Sequence, residues 1–289
     1  MTKLLLLFIL CFSTNVYALS SKGHWLVCQL AFENLPSTQK DALAKLTNHF
    51  PVKQQQQINT YLNRDANFKV TFADACSWAD AIRNDVQYSS FKSWHYVNVA
   101  RDQISVNDDA CHGHCIIDAI THHQQQFINR TSSVEKIQAL LFLAHWIGDL
   151  HQPLHVSFKS DLGGNKIKVV DKINSNKHMC KNLHQVWDRC LLGQSSKNTL
   201  LNSNKDLLPA SPVDYLTTDN ILFWATQSLT ISRSKITGYC KQFSSNLTCS
   251  SSHQAIIFDH GYYNQNRPIL IKQIKLASLR LNLFLAEHL

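Results

Sequence analysis

Two His-x-x-x-Asp pairs, His145/Asp149 and His184/Asp188, set the tightest limit on what this chain can fold into. Residues four apart on a helix share a face, so each pair would present an imidazole beside a carboxylate. The first pair opens the run His145-Trp-Ile-Gly-Asp149-Leu-His-Gln-Pro-Leu-His155, which is rich in apolar residues. A carboxylate on an apolar face is costly to bury without a cation. Imidazole and carboxylate together suit zinc and make little demand for thiolate. With His155 added, the pairs hold more ligands than one zinc needs, which points to a multinuclear hydrolytic site.

The 289 residues allow one large domain or two small ones, and a hydrophobic fraction of 44% is ample for a core. There is no internal repeat and no long linker, and helical patterns dominate. Helices are expected at 24–34, 37–48, 73–84, 115–129, 133–150, 183–191 and 213–231, with a final helix starting at Pro268. The 133–150 segment has Ser132 or Ser133 as a cap, Glu135 early in the first turn, and Val134, Ile137, Leu141, Ala144 and Gly148 at helical spacing. One strand signal, Ile167 to Val170, follows Gly163-Gly164-Asn165. The Ser/Asn-rich stretch 194–206 reads as an exposed loop. The expected fold class is all-α: a single mostly helical domain with a small β-hairpin excursion, stabilised by disulfides.

Residues 1–18 read as a signal peptide: Lys3, the apolar run Leu4 to Phe12, then Val16-Tyr17-Ala18 as a small-residue cleavage site. That run is too short to span a bilayer and no other segment is long and apolar enough. The protein is therefore expected to be exported, secreted or periplasmic, with Leu19 as its first mature residue. Cys11 leaves with the signal, so eight of the nine cysteines remain, an even number that favours disulfides in an exported chain. Short loops are expected at Cys111–Cys115, Cys180–Cys190 and Cys240–Cys249, which leaves Cys28 and Cys76 for each other; eight cysteines allow many other connectivities. Asn129-Arg-Thr131 and Asn246-Leu-Thr248 are glycosylation acceptors where the host has that machinery. The formal charge of +8 favours polyanions or simple solubility. With no Lys/Arg-rich run, any attraction is expected to be diffuse.

Five histidines and three aspartates stand in contexts that could converge: His24, Asp80, His95, His145, Asp149, His155, His184 and Asp188. Each has a plainer reading alone. Asp80 could pair with Arg83 one turn on, and Asp188 with Arg189. Cys111-His-Gly-His-Cys115 is a rival zinc site, although exported thiols tend to oxidise. His49, His122 and His123 lack nearby partners and read as surface residues. His151 points away from the His145/Asp149 face.

The residues resemble the zinc-dependent, single-strand-specific nucleases of fungal and plant type, the class I nucleases, which share a superfamily with zinc-dependent phospholipases C. The resemblance rests on Gly23-His24, Trp78-Ala79-Asp80 with Arg83, Trp94-His95-Tyr96, His145 through His155, Gly163-Gly164-Asn165, His184-Gln-Val-Trp187-Asp188 and Trp224-Ala225. It covers nearly all of residues 19–289. It implies three zinc ions in one helical domain. Asp80, His95, His145 and Asp149 would hold one. His155, His184 and Asp188 would hold a second. The third would take His24, Asp149 as a bridge, and the amine and carbonyl of Leu19, which lies five residues before His24 as the family's N-terminal residue does. The family has Trp there.

The resemblance also implies chemistry. Asp80 would orient a hydroxide nucleophile that zinc makes available near neutral pH, and Arg83 would grip the phosphate. The products would be 5′-phosphorylated nucleotides, and 3′-nucleotidase activity would accompany the cleavage. Tyr96 would stack on a base, with Leu162 as the opposite wall and Gly163 and Asn165 contacting the base; core packing and a plain β-turn are the alternatives. Asn98 and Gln103 stand where the family has Asp and Lys, so base preference does not carry over. Stacking requires an unpaired base, which favours single-stranded RNA and DNA and nucleotides as substrates of a monomer. The rival readings are a phospholipase C and a non-catalytic zinc-binding protein.

Overall fold

The computed structural model describes residues 19–111, 113–240, 242–244, 248–250 and 254–289; the expected signal segment, His112 and Asn246 lie outside these. The helices are α1 (Ser21–Glu33), α2 (Ser37–Thr47), α3 (Val52–Tyr61), α4 (Phe72–Ala75), α5 (Trp78–Ala81), α6 (Ile116–Asn129), α7 (Ser133–Leu150), α8 (Leu183–Asp188), α9 (Lys197–Asn202), α10 (Thr218–Arg233) and α11 (His260–His288). Among the described residues the strands are short: β1 (Val97–Val99), β2 (Val156–Phe158), β3 (Val169–Asp171), β4 (Gln242–Phe243), β5 (Cys249–Ser250) and β6 (Ile256–Phe258).

Helix α7 is the axis of the molecule. From Ala139 to Leu150 every residue is buried, as expected for a helix covered on all sides. It is flanked by α6, α11, α5 and α1, while α1 packs on α11 and α4. Four buried disulfides, Cys28–Cys76, Cys111–Cys115, Cys180–Cys190 and Cys240–Cys249, have the expected pairing. The sulfurs of Cys111 and Cys115 are thus not available as thiolate ligands. No helix among the described residues is long and apolar enough to cross a membrane.

The structure departs from the sequence reading in instructive places. The expected helix at 73–84 breaks at Cys76-Ser77 into α4 and α5. Cys76 is tethered to Cys28, and its carbonyl accepts a hydrogen bond from His145 Nδ1 instead of one from within a helix. The final helix starts eight residues before Pro268, at His260. The Asp259 side chain caps it, and the Tyr262 hydroxyl lies against Trp187 Nε1 at 3.1 Å; these contacts offset an internal proline that costs roughly 3 kcal/mol. Strand β3 pairs in parallel with β6 rather than forming a hairpin arm, and the antiparallel pair is β4–β5. The loop at 194–206 contains α9, capped by Ser196. His123 is buried, with Trp146 Nε1 3.1 Å from its Nδ1, so it is a core residue and not the surface histidine expected.

Candidate metal centre

Helix α7 presents His145 and Asp149 on one face, both fully buried, with His145 Nε2 3.1 Å from Asp149 Oδ2. Everything else in the site gathers around that pair. From α1, the His24 ring stacks on His145 with centroids 3.8 Å apart, and its Nε2 lies 3.2 Å from Asp149 Oδ1. The Leu19 backbone N–H donates to the same oxygen at 3.2 Å. From α5, Asp80 Oδ1 lies 3.9 Å from both His145 Nε2 and His95 Nδ1. His95 Nδ1 is 2.9 Å from Asp149 Oδ2.

The parallel pairing of β1 with β2 aligns the segments that follow His95 and His155. His155 Nδ1 donates to the His95 carbonyl at 2.7 Å and turns Nε2 to Asp188 Oδ1 at 3.4 Å. On α8, His184 Nδ1 donates to the Gly163 carbonyl at 2.7 Å, and its Nε2 faces Asp188 Oδ2 at 3.4 Å. Side-chain donor atoms thus gather as His24/His145/Asp149, Asp80/His95/His145 and His155/His184/Asp188, each set lying within 4.8 Å. The structure brings together all eight side chains singled out from the sequence, and Leu19 with them.

The donor set fits divalent cations. His145, His155 and His184 each direct Nδ1–H at a carbonyl, which leaves each Nε2 facing carboxylate oxygens, those of Asp149 for His145 and of Asp188 for His155 and His184. Among the described residues, both His24 nitrogens, His155 Nε2 and Asp188 Oδ2 are buried without a hydrogen bond. Burial drives the Asp188 carboxyl up to about 8 and that of Asp80 up to about 6, and drives His24 down to about 4 and His95 to about 3. Burial thus resists charge on these four groups, whereas the surrounding imidazoles hold Asp149 well below the usual carboxylate range and Asp149 holds His145 above its ordinary value. Zinc's preference for imidazole and carboxylate matches the residues present.

Two glycines set the packing. A Cβ on Gly148 would stand 2.9 Å from His24 Nδ1, so the turn before Asp149 must lack a side chain for the imidazole to lie flat on α7. Gly148→Ala is expected to displace His24, lower the bound metal by one equivalent and cut activity by about 10–100-fold; metal analysis beside a rate assay reads both. Gly163 has φ +62°, and a Cβ there would meet the Leu154 carbonyl at 2.7 Å. This glycine therefore serves contact with Leu154 and His184.

The residues expected to meet substrate lie on the segments that carry the ligands. Tyr96 and Asn98 are half-buried and alternate with buried His95 and Val97 on the segment that leads into β1. Leu162 is 45% exposed in a left-handed conformation. Asn165 donates its amide to the Leu162 carbonyl at 2.8 Å, which commits that N–H to holding the loop. Arg83 follows α5, and its charge acts on Asp80, His95 and His155. Gln103 caps its own turn through the Ala100 amide.

Two residues escaped the sequence reading. Gln152 is fully buried; its amide donates to Asp188 Oδ1 at 2.6 Å while its oxygen accepts from Leu154 N–H at 2.6 Å, tying one ligand to the turn that carries another. Its place between Asp149 and His155 was the available signal. The Tyr61 hydroxyl donates to Asp80 Oδ2 at 3.3 Å, and nothing local in its Gln-rich helix announces that.

A family model described as S1/P1 Nuclease matches residues 19–289. The chain belongs to the S1/P1 nuclease family. Among relatives of this nuclease family, Endonuclease 1 of Arabidopsis thaliana is 28% identical over 307 aligned positions, covering 98% of this chain and 92% of that protein. Endonuclease 5 of the same plant is 36% identical over 147 residues, 46% of this chain and 47% of its own length. Nuclease S1 of Aspergillus oryzae is 30% identical over 122 residues, 40% of each. Membership makes the chain a hydrolase of phosphodiester bonds, with nucleic acid as its substrate class, and the buried clusters are its candidate metal-ligand sets.

Proposed function

We propose that this chain is an exported, zinc-dependent nuclease that cuts single-stranded RNA and DNA to 5′-phosphorylated products and has 3′-nucleotidase activity. The observation that carries the reading is the convergence of five imidazoles, three carboxylates and the Leu19 nitrogen in one buried site. Residues 1–18 act as the signal peptide and 19–289 as one catalytic domain. The family match beginning at Leu19 supports that division.

Three zinc ions fit the donors: one at His24, Asp149 and Leu19, one at Asp80, His95, His145 and Asp149, and one at His155, His184 and Asp188. Zinc, when bound, supplies Lewis acidity, lowering the pKa of water toward roughly 7 and offsetting phosphate charge. Asp80, steadied by the Tyr61 hydroxyl, orients the attacking water. Arg83 binds the phosphate oxygens and spreads the charge that builds there. The 3′ oxygen departs on the side of His155, His184 and Asp188. Tyr96 and Leu162 enclose an unpaired base, Gly163 allows its close approach, and Asn98 and the side-chain oxygen of Asn165 meet its polar edge.

The test is metal analysis of protein beginning at Leu19, paired with digestion of circular single-stranded DNA. Three zinc equivalents and linearisation of the circle are expected, with Asp80→Asn reducing turnover by about 10²–10⁴-fold. Full activity in the presence of strong chelators would overturn the reading. So would hydrolysis of phosphatidylcholine with nucleic acid left intact.

A further inference from the structure

The positive charge of this protein is concentrated beside the metal centre. Residues 159–189 contain seven of the 28 Lys and Arg residues, and all seven are exposed. The three acids of the same stretch, Asp161, Asp171 and Asp188, are buried. The sequence hides this surface because the cations are spread singly among other residues. Three of them flank β3: Lys166 in the turn before it, Lys168 in the bridge that leads into it and Lys172 just after it. Burial alternates from Lys166 to Lys172, so Lys166, Lys168, Val170 and Lys172 are exposed while Ile167, Val169 and Asp171 turn inward. Lys168 to Lys172 spans about 13 Å of extended chain. Val170 is paired with Ile257, and the two are 46% and 41% exposed, which gives the row an apolar floor. Among the described residues none of the three lysines makes an ion pair, so their charge is free for a ligand.

The row starts at the site. Gly163, whose carbonyl holds His184, lies three residues before Lys166. The Leu183 amide donates to the Ile167 carbonyl at 3.0 Å, and Lys168 bridges to Asn182, pinning this strand to the start of the helix that carries His184 and Asp188. The row is therefore joined directly to the segment that carries two of the ligands.

We propose that the outer face of the β3–β6 sheet, with Lys166, Lys168 and Lys172 as its cations, is a tracking surface for the sugar-phosphate backbone of a single strand beyond the cleaved bond. This rests on the nuclease reading above and adds to it a preference for polymers over short substrates. The lysines supply phosphate attraction that reads no sequence. Val170 and Ile257 supply dry contact for sugars or unstacked bases.

The test is the triple variant Lys166→Gln/Lys168→Gln/Lys172→Gln in zinc-loaded protein, with the triple Lys→Arg variant as the charge-preserving control. The expected result is a fall in kcat/KM on long single-stranded DNA of on the order of 10-fold or more at low salt, with a dinucleotide cut as before. The slope of log kcat/KM against log salt should become shallower by about 2, since each single-strand phosphate contact contributes roughly 0.7. The Arg variant should restore both. An unchanged polymer-to-dinucleotide ratio and salt slope overturns the proposal, as does an equal loss on both substrates. Binding of labelled oligo(dT) by Asp80→Asn protein, with and without the three substitutions, reads the surface even if the nuclease reading fails and nothing is cut. If phosphatidylserine vesicles bind the wild type and not the variant while the polymer preference stays intact, the surface belongs to lipid and the proposal falls.

Discussion

Protein that keeps residues 1–18 attached is expected to bind two zinc ions instead of three and to lose on the order of 10²-fold or more in activity. The Leu19 nitrogen lies 3.2 Å from Asp149 Oδ1, and the residue is 1% exposed, so the start of the family-matched region is built into the metal centre. In an uncut chain that nitrogen is an amide, and its lone pair is delocalised into the peptide bond and unavailable to a cation. Cleavage before Leu19 turns it into an amine with a pKa of roughly 8, a competent ligand near neutral pH. The comparison is between protein released to begin at Leu19 and the same protein with a short N-terminal extension. Each is assayed for metal content and for release of acid-soluble nucleotides. Three zinc ions and full turnover in the extended form would remove Leu19 from the ligand set. Trimming the extended form with a protease should bring back both properties.

Asp149→Ala should be the most damaging single substitution. Its carboxylate is approached by Leu19 N at 3.2 Å, His24 Nε2 at 3.2 Å, His95 Nδ1 at 2.9 Å, His145 Nε2 at 3.1 Å and His155 Nδ1 at 3.5 Å. In the three-zinc assignment proposed above, Asp149 is the acid shared by two ions. The variant is expected to retain one zinc, at His155, His184 and Asp188, and to lose at least ~10³-fold in kcat/KM, about 4 kcal/mol of barrier. Asp149→Asn keeps the shape and removes the charge. It should fail nearly as badly, which separates electrostatics from packing. Three zinc ions and a rate within tenfold of wild type in either variant would show that the bridge is not needed.

The ligands were legible because they are helical pairs or lie close to them, and because carboxylates on apolar faces are expensive enough to be conspicuous. His145 and Asp149 need only the 3.6-residue repeat to be placed together. What holds the ligands was less legible. His145, His155 and His184 are oriented by the carbonyls of Cys76, His95 and Gly163, and a backbone carbonyl leaves no mark in a sequence. Helix α3 escaped notice because Val52-Lys-Gln-Gln-Gln-Gln-Ile-Asn-Thr-Tyr61 has no apolar stripe; it is defined by packing of Ile58 and by its position over α5. The break between α4 and α5 and the proline inside α11 were both misread for one reason. Local propensity was overruled by a tether in the first case and by a cap and an aromatic contact in the second. The charge distribution was missed because burial, which the sequence does not print, silences Asp161, Asp171 and Asp188.

The Cys28–Cys76 bridge encloses a separation of 48 residues, and closing a loop of that length restricts the unfolded chain by about 4 kcal/mol. One of its half-cystines offers the carbonyl that aims His145, and the other lies one turn along the helix from His24. The covalent staple and the catalytic scaffold are therefore the same piece of architecture. In a reducing interior such bonds do not persist. On the export reading proposed above, the site is completed only where thiols can be oxidised, apart from the nucleic acid of the cell that makes it.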